Sequence, residues 1–173
     1  MSTPDMKTLH ERVARFKDLK SSSEAFVDTR IPEYNREIFN IIGRGVTENP
    51  ILAPAIADNR DFNISMLKSE PGKGSSLHDH DTIEVFLPLT GKWRIGLGDN
   101  GEEEVILDVF DIFSCPPGIM RSVTNIGTSS GCILAILGGT DPGRARWSPT
   151  INAKARELGL VVNASGDLVN ISG

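Results

Sequence analysis

Histidine is scarce in this chain of 173 residues; it occurs at positions 10, 78 and 80. Cysteine occurs twice, at Cys115 and Cys132, without CxxC spacing, so a reduced, cytoplasmic protein is the expectation. No apolar run approaches the ~20 residues that a membrane-spanning helix needs, and the charged N-terminus "MSTPDMKTLHERVARFKDLK" has no apolar signal core. Basic residues are not in excess: the net charge is -5, with both signs interspersed, which argues against a nucleic-acid partner. No repeat or low-complexity segment is visible. The length suits one domain that can bury a core without staples.

What is present is a set of short β-rich runs. From residue 61 onward these are "FNISMLKS", "TIEVFLPLTG", "KWRIGLG", "EEVILDVFDIFSC", "RSVTNIG" and "GCILAILGG". Turn signals such as "PGKG", "GDNGE", "PPG" and "GTSSG" separate them. Trp93, Ile95 and Leu97 alternate with Lys92, Arg94 and Gly96, which buries one face. Asp99-Asn100-Gly101 marks a hairpin turn. Many short strands at close spacing predict a sandwich or barrel. Before them, Met6, Leu9, Val13 and Phe16 recur at helical spacing behind Thr3-Pro4, predicting an amphipathic N-terminal helix. "EIFNIIG" reads as a strand and "TENPILAPAIADN" as a connection. After residue 140, "TDPGRARW" reads as a loop. Ser148-Pro149 opens a helix through "TINAKAREL" that Gly159 ends, and the tail can form a short hairpin. The chain therefore divides into 1–60, an N-terminal helix and extension packing on a barrel; 61–140, the barrel; and 141–173, a C-terminal helix and tail, all within one domain.

Two of the scarce histidines stand one residue apart in "GKGSSLHDHDTIEVFLPLTG". Residues i and i+2 of a strand point to one face, so His78 and His80 present both imidazoles together. Glu84 keeps the same parity. Two imidazoles and one carboxylate are the ligand set of a facial triad, which leaves coordination positions open. A closed structural zinc site would need a fourth ligand and is not expected. The alternative is that both histidines are solvated in a polar loop beside Asp79 and Asp81.

These residues resemble the first cupin motif, with Gly72, His78, His80, Glu84 and Gly91 at its spacing. "FDIFSCPPGIMRSVTN" resembles the second, with Pro116, Gly118 and Asn125 in place. The resemblance covers roughly residues 60–140. It implies an all-β double-stranded β-helix, the cupin or jelly-roll barrel, here with N-terminal and C-terminal helices added, and a metal site inside. Two positions depart from the pattern: Phe110 stands for a glycine, and Arg121 stands for the third histidine ligand. If Arg121 points inward, it either pairs bidentately with Glu84 and displaces the metal, or stands back as a catalytic residue that orients an anionic substrate; it can also turn outward to an exposed acid.

The resemblance implies oxygenases, isomerases, lyases or decarboxylases, and fold alone does not choose. The leading expectation is a divalent metal held by His78, His80 and Glu84, Fe(II) favoured with Mn, Ni or Zn as options, and dioxygenase-like chemistry on a small, anionic organic molecule. Two rivals stay open: a non-catalytic small-ligand barrel in which Arg121 neutralises Glu84, and a metal-free isomerase-like enzyme with a histidine base. A homodimer is expected on family analogy. Cys115 reads as a buried, inert thiol. Asp111 reads as turn chemistry. Trp93, Phe86 and Phe113 read as core or pocket wall, and Lys68, Arg94 and Arg121 as a possible cationic lining.

Overall fold

Ten short strands build two facing five-stranded sheets in the computed structural model, which describes residues 9–171. The first sheet runs β1 (Glu37–Ile42), β2 (Phe62–Ser69), β9 (Gly131–Gly138), β4 (Glu84–Pro88), β7 (Phe113–Cys115). The second runs β10 (Arg146–Trp147), β3 (Gly74–Asp79), β8 (Arg121–Asn125), β5 (Trp93–Leu97), β6 (Glu103–Leu107). Every pairing within these two sheets is antiparallel. From β2 to β4, and again from β6 to β9, the chain alternates between the sheets, the winding of a double-stranded β-helix. A third, two-stranded hairpin pairs β11 (Leu160–Val162) with β12 (Leu168–Asn170).

Alternation of apolar and polar residues explains why the sheets face each other. In β9 the inward Ile133, Ala135 and Leu137 are nearly fully buried, and Trp93 and Ile95 of β5 oppose them in one core with Phe86, Leu107 and Val123. Trp93 satisfies its indole N–H on the Thr90 carbonyl at 2.9 Å. Asn125, fully buried, ties the β8 end to loops: its amide donates to the Ser69 and Ser129 carbonyls, and its oxygen accepts from Gly127 N–H. Gly74 opens β3 where a Cβ would lie 1.8 Å from the Val123 carbonyl oxygen, so any side chain there would part β3 from β8.

The expected hairpin between β5 and β6 is present, with Leu97 paired to Glu103. So is the C-terminal helix, α1 (Pro149–Glu157), whose first turn Ser148 caps by accepting from Ile151 N–H. Gly159, at φ 70°, ends it. Three expectations need correction. The N-terminal helix does not reach Phe16: residues 9 and 10 are helical, 11–12 turn, 13–15 are irregular, and Phe16–Asp18 is a single 3-10 turn. Leu9, Val13 and Phe16 are all exposed, so the apolar spacing has no buried face to serve; Thr3, Pro4 and Met6 lie outside the described residues. Residues 37–42 are not mere extension, because β1 is hydrogen-bonded to β2 as an edge strand of the first sheet. Finally, "TDPGRARW" is not all loop: Arg146 and Trp147 pair with Asp79 and His78 of β3. Among the described residues, no helix is long and apolar enough to cross a membrane.

Candidate metal centre

Strand β3 carries a bulge. Ser75 pairs with Val123 and His78 with Arg121, so β3 spends one residue more than β8 between them. A bulge reverses facing parity, which lets Ser75 and His78, three positions apart, line the same cavity. His80 follows two residues later and Glu84 opens β4, both facing that cavity. Donor atoms of His78, His80 and Glu84 lie within 4.8 Å of one another. All three residues are buried, at 6, 1 and 5% exposure, so the solvated-loop reading fails.

Each donor has a defined state. His78 Nδ1 lies 2.7 Å from the Ser76 carbonyl and donates to it, which leaves Nε2 with its lone pair. His80 Nε2 lies 3.5 Å from Glu84 Oε2. Its buried Nδ1 closes no hydrogen bond, although the Arg144 backbone lies close enough to favour the charged ring weakly. Burial pulls the His78 pKa down to about 4. Burial, with help from His78 and Arg121, pulls His80 to about 2. Both imidazoles are therefore neutral near pH 7, the form that binds a metal. Burial raises the Glu84 pKa, and the Arg121 charge opposes that rise. Two neutral imidazoles, one oriented by a backbone carbonyl, together with one buried carboxylate fit a divalent ion of the first-row type.

Arg121 is fully buried beside His78. Its Nε donates to Glu84 Oε2 at 3.0 Å and its Nη1 to the Ile119 carbonyl at 2.9 Å, while Nη2 has no partner. The contact with Glu84 is thus single rather than bidentate. Arg121 stands behind Glu84 and is not among the residues that line the cavity. Its Nε meets the carboxylate while Nη1 is committed to the turn before β8. The other expected lining cations are also outside: Arg94 is exposed, and Lys68 is half-exposed and paired with Glu37 at 3.0 Å. Cys115 is buried and its thiol pKa is raised by burial, in keeping with an inert role. Asp111 accepts from Asp108 N–H as turn chemistry. Of the aromatics, Phe86 reaches the cavity wall, while Trp93 and Phe113 belong to the core.

The cavity is narrow, with room for roughly two waters. Its inner wall is apolar. Its outer part comes from residues whose roles the sequence did not disclose. Phe26 and Arg36 enter from the N-terminal side, Ala145 and Trp147 from the C-terminal side. Trp147 packs on His78, ring centroids 5.1 Å apart, and edge-on against Phe26 at 6.0 Å. Its indole N–H donates to Glu48 Oε1 at 2.6 Å, and Val27 N–H donates to the other oxygen at 2.6 Å. Burial pushes the Glu48 pKa up to about 7. Arg146 fastens this segment from outside by bonding both oxygens of Asp79 and one of Asp81. The usable signal was small: a tryptophan flanked by arginine in "GRARW", and an arginine before "EIFNII".

No protein-family model matches the sequence, and no curated protein matches it. Solved structures do. A cupin 2 domain-containing protein from Halorhodospira halophila aligns with a TM-score of 0.53 at 18% identity, over 70% of this chain and 77% of that one. A cupin-2 domain protein from Rhodospirillum rubrum aligns at 0.58 and 11% identity, over 84% and 86%. An oxalate decarboxylase from Lactobacillus farciminis, in complex with formate, aligns at 0.55 and 14% identity, over 81% of this chain and 36% of that one. At such identities the likeness is one of fold.

Proposed function

Since this chain has the cupin fold, we propose that it is a metal-dependent enzyme acting on a small, anionic organic molecule, with His78, His80 and Glu84 as the ligands. The observation that carries this reading is the convergence, within 4.8 Å, of two neutral imidazoles and a carboxylate on one buried cavity. A bound divalent ion, Fe(II) favoured, would supply oxygenase-type chemistry or Lewis-acid polarisation through its open positions. The chain's own residues do the rest. Ser76 holds His78 in the tautomer that offers Nε2. Arg121 is a positioning residue: it fixes one oxygen of Glu84 and opposes the rise that burial gives the Glu84 pKa. Because Arg121 cancels the Glu84 charge, an ion held here would keep its own charge largely uncompensated, which favours an anionic substrate. The apolar wall of Phe86, Val123 and Leu137 excludes water.

A second reading is favoured by the same Arg121–Glu84 contact. If that ion pair already satisfies Glu84, the barrel binds a small ligand without metal. Elemental analysis of protein purified without a histidine tag separates the two. The enzyme reading expects near-stoichiometric Fe, Mn, Ni or Zn, lost in His78→Ala. Consistent absence after reconstitution would leave the metal-free barrel. An Arg121→His variant with raised metal affinity would place residue 121 at the vacant ligand position.

A further inference from the structure

Arg36 is a second buried arginine, in the segment between residue 22 and β1. It is 4% exposed and lines the cavity that His78, His80 and Glu84 face. Its Nη1 donates to the Tyr34 and Gly74 carbonyls at 3.1 and 3.2 Å and lies 3.0 Å from Asp28 Oδ1. Asp28 is itself fixed, because its Oδ2 accepts from Ser76 N–H and Oγ at 2.9 and 3.0 Å. Phe26 lies under the guanidinium, 5.6 Å from its carbon. One nitrogen thus anchors the group, while Nε is buried with no partner.

A buried guanidinium N–H without an acceptor is costly unless something supplies one. The spare donors of a rigid planar fork match a carboxylate. Arg36 is also electrically close to the triad, since its charge is felt at His78 and at Glu84. Among the described residues it is the one arginine or lysine on the cavity wall.

We propose that Arg36 is the anion-reading residue of this cavity, and that the ligand is a small carboxylic acid whose carboxylate meets Arg36 while its short apolar body lies against Phe26 and Trp147. The remaining end of such a molecule faces His78, His80 and Glu84. The narrow cavity limits it to a few heavy atoms. The proposal rests on the reading of this cavity as the substrate site, and does not require that a metal be bound.

Calorimetric titration of the full chain with propionate, and with propionamide as the neutral isostere, tests it. Both are run on metal-reconstituted wild type, on wild type treated with chelator, and on His78→Ala. The expected result is propionate bound about tenfold more tightly than propionamide in all three, the scale of one charge-assisted hydrogen bond. Because Arg36→Met alone strands Asp28 and can fail to fold, the second variant is Asp28→Asn/Arg36→Met, which removes both charges. There the preference should fall to within about twofold, with a single cooperative melting transition retained and, if the wild type holds metal, unchanged metal content. Equal or undetectable affinity for both probes in the wild type overturns the proposal. So does a preference that survives the double variant, or one that appears only in metal-reconstituted protein, which would assign the anion to the metal. Absence of metal in every preparation sinks the metal reading while leaving the Arg36 comparison intact.

Discussion

Arg121 and Arg36 are two buried guanidiniums, each beside a buried carboxylate and each with one unpartnered nitrogen, and they differ in which of them lines the cavity. Arg121 spends Nε on Glu84 and Nη1 on a turn carbonyl, keeps Nη2 unpartnered, and stands behind the residues that line the cavity. Arg36 commits Nη1 to two carbonyls and Asp28 and sits on the cavity wall with Nε unpartnered. The first arises from a motif whose ligand histidine has been replaced. The second arises from a segment outside the motif. A cation in the sequence position of a ligand is thus not the cation that faces the ligand's space.

The largest effect should come from breaking the inner pair. Arg121→Met leaves Glu84 buried without its counter-ion and should cost about 3–5 kcal/mol in urea unfolding. Arg121→Met combined with Glu84→Gln should recover most of that loss; failure to recover would mean that Arg121 stabilises mainly through Ile119. Next comes Glu48, a third buried acid, with no cation bonded to it. Its pKa is near 7 in the folded chain against 4.5 as a free carboxylate. Between those values the folded chain keeps a proton that the unfolded chain has released. The Glu48 contribution to stability is therefore full below pH 4.5 and is lost as pH rises through 7, by an amount on the order of 3 kcal/mol. His78 and His80, whose pKa values are depressed, drive stability the other way, upward as pH rises toward their ordinary range. The measurement is consequently the difference between wild type and Glu48→Gln across pH 4.5–7.5, and a flat difference would refute this assignment. The smallest effect is at the other motif departure. Phe110 holds φ at 71° with its ring 73% exposed. Phe110→Gly relieves left-handed strain of ~1–2 kcal/mol and loosens the unfolded chain by somewhat less, so it should stabilise by about 1 kcal/mol or less and leave metal content unchanged.

Strands β2 and β4 to β9, the β5–β6 hairpin and helix α1 were legible because period-two alternation, Asp-Asn-Gly and Ser-Pro are local signals. His78, His80 and Glu84 were legible from their motif spacing, but they meet from two sheets, with His78 near the end of β3, His80 just past it and Glu84 opening β4. The bulge in β3 was not legible, as it depends on pairing with β8. Nor was the direction of Arg121, which the Ile119 carbonyl decides. Glu48 and Trp147 were missed because their meaning lies in a contact between segments 99 residues apart, and Arg36 because its partners include the Gly74 carbonyl, 38 residues away. The helical spacing of Leu9, Val13 and Phe16 misled because periodicity stabilises a helix where there is a surface to bury it against.

The wall of the cavity opposite its apolar base is stitched from both flanks of the barrel, with Phe26 and Arg36 on one side and Ala145 and Trp147 on the other. During synthesis this sets two separate moments. By the time residue 121 has been added, both histidines, Glu84 and Arg121 all exist in the growing chain. The hydrogen bond that closes the other side requires Trp147. Since β4 is held by β9, the donor set cannot assemble before residue 138, and a chain cut between there and Trp147 would keep every donor strand while losing the Trp147–Glu48 hydrogen bond.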